Sequence, residues 1–241
     1  MSGHSKWSTI KRQKGITDAK RSAVFTKLGR AITIAARQGG PDPIMNFRLR
    51  LAIEKARGAN MPNENVERAI KRGSGSVDGQ QIEEVMYEGF GPGGVSLLIQ
   101  TATDNHNRTV GEIRAVLSKL NGSLGGANSV AWQFENKGAI RIATEALKSL
   151  DKENLTLDFI EAGAEDVKDT ADGLEIIIPP GQFAAMQKLL ADRKISTLSA
   201  DLEFVPKQAV SLNEKDSEKL QVIIEALEDH EDVTAVWTNA G

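Results

Sequence analysis

The sequence predicts an α+β protein: an N-terminal three-helix domain followed by two ferredoxin-like α+β domains, one inserted in the other. Three observations lead there. The first quarter carries apolar residues at helical spacing, cut into short lengths by glycine and proline. After the polar stretch SGSVDG, residues 74–79, β-branched runs begin to alternate with amphipathic helices. Charge divides at the same place. Residues 1–75 hold 16 lysines and arginines against 5 acidic residues, and the remainder holds 14 against 28. A net +11 segment is thus joined to a net −14 body, although the whole chain is only −3.

The elements follow in order. Residues 1–16 lack periodicity and read as a basic arm. A helix is expected from Asp18 to Gln38, with Thr17 or Asp18 as cap and Gly39-Gly40 as stop. Val24, Phe25, Leu28, Ala31, Ile32 and Ala35 form its inner side, which places Lys27, Arg30 and Arg37 on an outer, solvated side. PDP at 41–43 predicts a second helix, capped by Asp42 and ending at Gly58. MPNENVERAIKRG predicts a third, ending at Gly73. EEVMYEGF and VSLLIQTAT read as strands of a hairpin around GPGG. NRTVGEIRAVLSKLN is an amphipathic helix capped by Asn107 or Thr109. SVAWQFEN and GAIRIA read as two strands. A helix near Leu155–Glu161, the strand LEIIIPP, the helix QFAAMQKLLADR and the strand ADLEFVP follow. A helix from Glu214 to Leu227 and the strand DVTAVWT close the chain. Hairpins mixed with crossover helices suit βαββαβ units, and there are enough elements for two.

Composition removes several functions. Cysteine is absent, which excludes disulfides and thiolate chemistry. No apolar run approaches the roughly 18 residues that span a bilayer. His4, His106 and His230 lack metal-ligand spacing, and no cofactor is expected. GFGPGG, Gly89–Gly94, formally matches G-x-G-x-x-G, but a strand follows it where a dinucleotide site needs a helix. A hairpin turn is the expectation, with exposure to a partner as a second role. Glu83 and Glu84 are adjacent on a strand and point to opposite faces. Asp104, His106 and Arg108 form the one cluster an enzyme could use, and no nucleophile motif accompanies them. The chain is therefore expected not to be an enzyme.

The basic segment carries the functional expectation. Lys6, Lys11, Arg12, Lys14, Lys20, Arg21, Lys27, Arg30 and Arg37 form a ladder interrupted only by Asp18. Phosphates attract such a ladder and release condensed counterions on binding. Trp7 either stacks on a base or anchors the arm to the bundle. Arg48, Arg50, Arg57, Arg68, Lys71 and Arg72 extend the positive surface. Neither a helix-turn-helix nor an RNA-recognition motif is spelled out. Backbone or shape recognition is the expectation, and DNA and ribosomal RNA remain alternatives.

MSGHSKWSTIKRQKGITDAKR, NMPNENVERAIKRG, YEGFGPGGV, TDNHNRTVGEIR and SVAWQFENKG together resemble the YebC/PmpR family. Its bacterial members are probable transcriptional regulators, and mitochondrial relatives are translational activators of a cytochrome oxidase subunit. The resemblance implies three domains, expected at 1–76, at 77–137 plus 206–241, and at 138–205 inserted between them. It implies a cytoplasmic, non-catalytic protein that binds DNA or associates with the ribosome. Self-association is a further expectation. The opening MSGHSKW lacks an arginine-rich presequence, which points to the bacterial type.

Overall fold

The structure, a computed structural model, describes residues 18–75, 81–148 and 150–241. Its chain divides into two compact units. One comprises the described part of Ile16–Ala131 with Leu212–Thr238, and the other Trp132–Ser211 with Asn239–Gly241. Among the described residues there are eight α-helices and two four-stranded antiparallel sheets.

The first unit begins with three helices: α1 (Asp18–Gly39), α2 (Phe47–Gly58) and α3 (Asn63–Gly73). Ile32, Ala35 and Ala36 of α1 pack with Leu49, Ile53 and Ala56 of α2 and with Val66 and Ala69 of α3. Small residues where the helices meet allow close approach. A Cβ on Gly73 would lie 2.3 Å from the Thr33 carbonyl oxygen, so only glycine lets α3 end against α1. The second helix opens one turn later than PDP suggested. Asp42 instead caps a turn, accepting from the Ile44 N–H at 2.9 Å. Asn46 is the true N-cap because it satisfies two helix ends at once. Its Oδ1 accepts from Leu49 N at 3.0 Å, and its Nδ2 donates to the Ala35 and Gly40 carbonyls at 2.7 and 2.8 Å.

The first sheet follows, with strands β1 (Glu83–Phe90), β2 (Ser96–Thr103), β3 (Ser123–Leu124) and β8 (Val233–Thr238) in the order β3-β1-β2-β8. The β1–β2 hairpin pairs Glu83 with Thr103 through Phe90 with Ser96, around a short 3-10 turn at Pro92–Gly94. Helices α4 (His106–Lys119) and α8 (Glu214–Asp229) contribute buried Ile113, Leu117, Leu220, Ile223 and Leu227. The N-cap of α4 is Asn105, whose side chain accepts from Arg108 N at 3.1 Å. Neither Asn107 nor Thr109 caps it. The Thr109 hydroxyl turns inward to Thr103 and Asp232 instead. Ile34 of α1 packs with Ile82 and Ala102, which seats the helical bundle on this sheet.

The second unit contains β4 (Phe134–Ala143), α5 (Thr144–Leu147), α6 (Lys152–Glu161), β5 (Asp166–Thr170), β6 (Gly173–Ile178), α7 (Phe183–Asp192) and β7 (Ser199–Pro206). Its strand order, β5-β6-β4-β7, is that of a ferredoxin-like βαββαβ unit. SVAWQFEN and GAIRIA are not two strands. Ala131–Gln133 form a 3-10 turn, and one strand runs from Phe134 through Gly138 to Ala143. Gly138 is a packing device within that strand: a Cβ there would sit 2.2 Å from the Phe183 ring. In the centre of the sheet Arg141 is buried between Glu175, at 2.7 Å, and Glu203, which it meets with two hydrogen bonds of 2.9 and 3.0 Å.

Candidate nucleic-acid interface

Lys6, Trp7, Lys11, Arg12 and Lys14, and the side chain of Lys20, lie outside the described residues. Of the remaining ladder, Arg21 and Arg37 are exposed, near the start and in the last turn of α1. Lys27 and Arg30 do not line an outer face. Lys27 is half-buried, and its ammonium donates to the Glu228 carbonyl. The Arg30 guanidinium donates to the Asp232 carboxylate and to the Glu231 and Ala102 carbonyls, the last two at 3.0 and 3.2 Å. Helical geometry explains the correction. Residues 27, 30 and 34 are spaced three and four apart and share a face, and Ile34 is the member of that face that packs on the sheet. Ile34, at helical spacing from Lys27 and Arg30, is the sequence signal that this side is covered.

Asp232 lies at the centre of the ion cluster this creates. Its side chain is fully buried. It accepts from Arg30, from Arg108 at 3.0 Å and from the Thr109 hydroxyl at 2.7 Å. Burial alone would raise its pKa, but the bonds from Thr109, Arg108 and Arg30 outweigh burial and hold it below the usual carboxylate range. A second buried carboxylate, Glu88, accepts from the backbone N–H groups of Asn128, Val130 and Ala131 at 2.6, 2.6 and 2.8 Å. Here too burial pushes the pKa up, while these bonds and one from Ser129 bring it below normal. Glu88 thereby pins the loop that leads out of the first unit.

The acidic groups around Asp232 do not suit a metal ion. Glu112, His230 and Asp232 bring three potential ligand atoms within 4.8 Å of one another. His230 Nε2 is already paired with Glu112 at 2.9 Å, while its Nδ1 accepts from the Asp232 N–H at 3.1 Å. A cation would have to displace two guanidinium groups from Asp232 and sit beside them, so the donor set does not fit a metal. Of Asp104, His106 and Arg108, only the first and last meet, and His106 turns away. His106 pairs with Glu83 at 2.7 Å, and Arg108 bridges Asp104 at 3.3 Å and Asp232. Glu83 and Glu84 do face opposite ways, since Glu84 pairs with Arg48 and accepts from Gln100. GFGPGG closes the hairpin, with the Gly91 N–H bonded to the Val95 carbonyl at 2.8 Å.

Further cations of the bundle face solvent. Arg57, Arg68, Lys71 and Arg72 are exposed on α2 and α3. An open cleft of about 580 Å³ is lined by Arg68 and Arg72 of α3, by Thr26 and Arg30 of α1, by Asn65 and by Asp104. Two exposed arginines, Arg68 and Arg72, thus line the cleft with one carboxylate, while the Arg30 guanidinium is held by Asp232. The Asn65 amide beside them can add a hydrogen bond to an anion.

A cationic helical bundle seated on an antiparallel sheet, with a ferredoxin-like unit inserted in the chain, defines the class of α+β protein to which this one conforms. Residues 5–76 match the family described as the TACO1/YebC protein N-terminal domain, and residues 82–240 match its second and third domain. The chain belongs to the TACO1/YebC family. It is 48% identical over 239 residues to a probable transcriptional regulatory protein of Desulforamulus reducens, covering 99% of this chain and 98% of that one. A protein of the same description from Moorella thermoacetica is 49% identical over 242 residues, covering 100% and 95%. The crystal structure of a conserved hypothetical protein from Aquifex aeolicus superposes with a TM-score of 0.83 at 40% identity, covering 93% of this chain and 91% of that one.

Proposed function

We propose that this protein is a non-enzymatic regulator of gene expression that binds nucleic acid through its basic N-terminal arm and helical bundle. One observation carries the reading: residues 1–75 are net +11, and Arg21, Arg37, Arg57, Arg68, Lys71 and Arg72 of that segment are exposed to solvent. The names of its relatives, probable transcriptional regulatory proteins, support the regulatory role and favour DNA as the target. Lys6, Lys11, Arg12, Lys14, Lys20, Arg21 and Arg37 are the ladder positions assigned to phosphate. Trp7 is assigned to the same surface. Lys27 and Arg30 are reassigned to holding the bundle on the first sheet. The labour follows three parts, 1–76 as the grip, 77–137 with 206–241 as its seat, and 138–205 as an acidic appendage repelled by the polyanion. Among the described residues no helix is long and apolar enough to cross a membrane, and the reading places the protein in the cytoplasm.

Crosslinking in cells, followed by separate sequencing of bound DNA and RNA, tests this. Enrichment of discrete DNA sites is expected. Enrichment of ribosomal RNA alone would transfer the same cationic surface to a translation factor, and enrichment of neither would overturn nucleic-acid binding.

A further inference from the structure

The turn between α1 and α2 is unusual for a soluble protein. Ile44 and Met45 are 79% and 82% exposed, more than any other large apolar side chains among the described residues. Single exposed apolar residues are ordinary, but these two adjoin each other and are held in a fixed turn. The Asp42 carboxylate accepts from the Ile44 N–H, and Asn46 N donates to the Asp42 carbonyl at 2.8 Å. The Arg50 guanidinium reaches the Pro43 and Ile44 carbonyls at 3.3 and 3.4 Å and lies 5.2 Å from the centroid of the Phe47 ring. From Arg37 to Arg50 the sequence has three arginines and a single acid, Asp42, and of these arginines Arg48 is paired with Glu84. The N-terminus of α2, with no acidic residue in its first turn, adds positive potential beside the tip.

We propose that Pro43, Ile44 and Met45 form an apolar wedge that enters a groove of a duplex nucleic acid and partly unstacks one base step. Apolar side chains set among arginines on a rigid turn are the chemistry by which duplexes are kinked. A lipid surface is less well served, because two side chains bury too little apolar area for stable membrane binding. The proposal rests on nucleic acid being the ligand, and adds an apolar insertion that charge alone does not supply.

The test uses the full chain with DNA and RNA duplexes carrying 2-aminopurine, whose fluorescence rises on unstacking. Wild-type protein should bind with a salt-dependent affinity and raise the fluorescence. I44S/M45S should fold normally, bind about tenfold more weakly with the same salt slope, and give no rise. I44K/M45K should recover affinity at low salt and still give no rise. Wild-type binding without a fluorescence change, or an unaltered I44S/M45S, would overturn the wedge and leave the electrostatic reading standing. Absence of duplex binding by the wild type would overturn both. Loss of binding to anionic vesicles in I44S/M45S, with duplex binding intact, would reassign the tip to a membrane surface.

Discussion

Each unit builds an ion cluster around one sealed charged side chain, and the sign of that central charge is opposite in the two. In the first unit one carboxylate, Asp232, is shared by two arginines, Arg30 and Arg108. In the second, one guanidinium, Arg141, is shared by two carboxylates, Glu175 and Glu203. They also differ in their access to water. Asp232 is sealed, but the Arg30 and Arg108 side chains keep 15% and 38% of their exposure. All three members of the Arg141 cluster are at 8% or below. The contrast teaches what each cluster does. Arg141 neutralises carboxylates inside one sheet. Asp232 holds an arginine from the helical bundle and another from α4, so it fixes where the cationic bundle sits.

The largest effect should come from the sealed cluster. Arg141→Ala leaves two buried carboxylates without their cation and should cost about 3–5 kcal/mol in denaturant unfolding. Replacing Arg141, Glu175 and Glu203 together by apolar residues of similar volume should cost less than that single change. A triple variant worse than Arg141→Ala would show that the cluster is not simply a matter of charge balance. Asp232→Ala should cost less, about 2–3 kcal/mol, because both guanidinium groups can turn to water. Its specific signature should be faster hydrogen exchange in α1 around Lys27 and Arg30.

Acid sensitivity should separate the carboxylates next. Asp232 and Glu88 both have pKa values lowered by folding. Such a group binds fewer protons when folded. Its stabilisation is therefore complete above the unfolded pKa, near 4, and is lost as pH falls through the folded value. Asp232→Asn and Glu88→Gln should each flatten the decline in unfolding midpoint between about pH 5 and pH 2. A slope unchanged in both variants would show that other groups control acid unfolding. The smallest stability effect is expected at the surface: Arg37→Ala should alter stability by less than about 0.5 kcal/mol, while weakening duplex binding measurably.

Much of the fold was legible in the sequence because its signals are local. Leu49, Ile53 and Ala56 mark the inner side of α2, and a β-branched run around GPGG marks the hairpin. Elements supported only by tertiary packing were not legible. The two residues of β3 carry no pattern, and the polar DVKDT, where no element is expected, is β5. Gly138 looked like a break between strands because the Phe183 ring that fills its place lies 45 positions away. The ion clusters were hidden for the same reason. Arg30 and Asp232 are 202 residues apart, and Arg141 and Glu203 are 62 apart. Composition could show that the leading segment is cationic, but not which cations face inward.

The most direct measurement is the salt dependence of duplex affinity in full-length protein with charges reversed in one region or the other. Reversing Lys11, Arg12 and Lys14 to Glu should weaken binding and reduce the slope of log K against log salt by about 0.9 for each phosphate no longer neutralised. Reversing the exposed Lys148, Lys188 and Lys194 of the second unit should leave the slope as it is. Equal losses of affinity in the two triple variants, or a wild-type slope in the first, would contradict a grip confined to the leading segment.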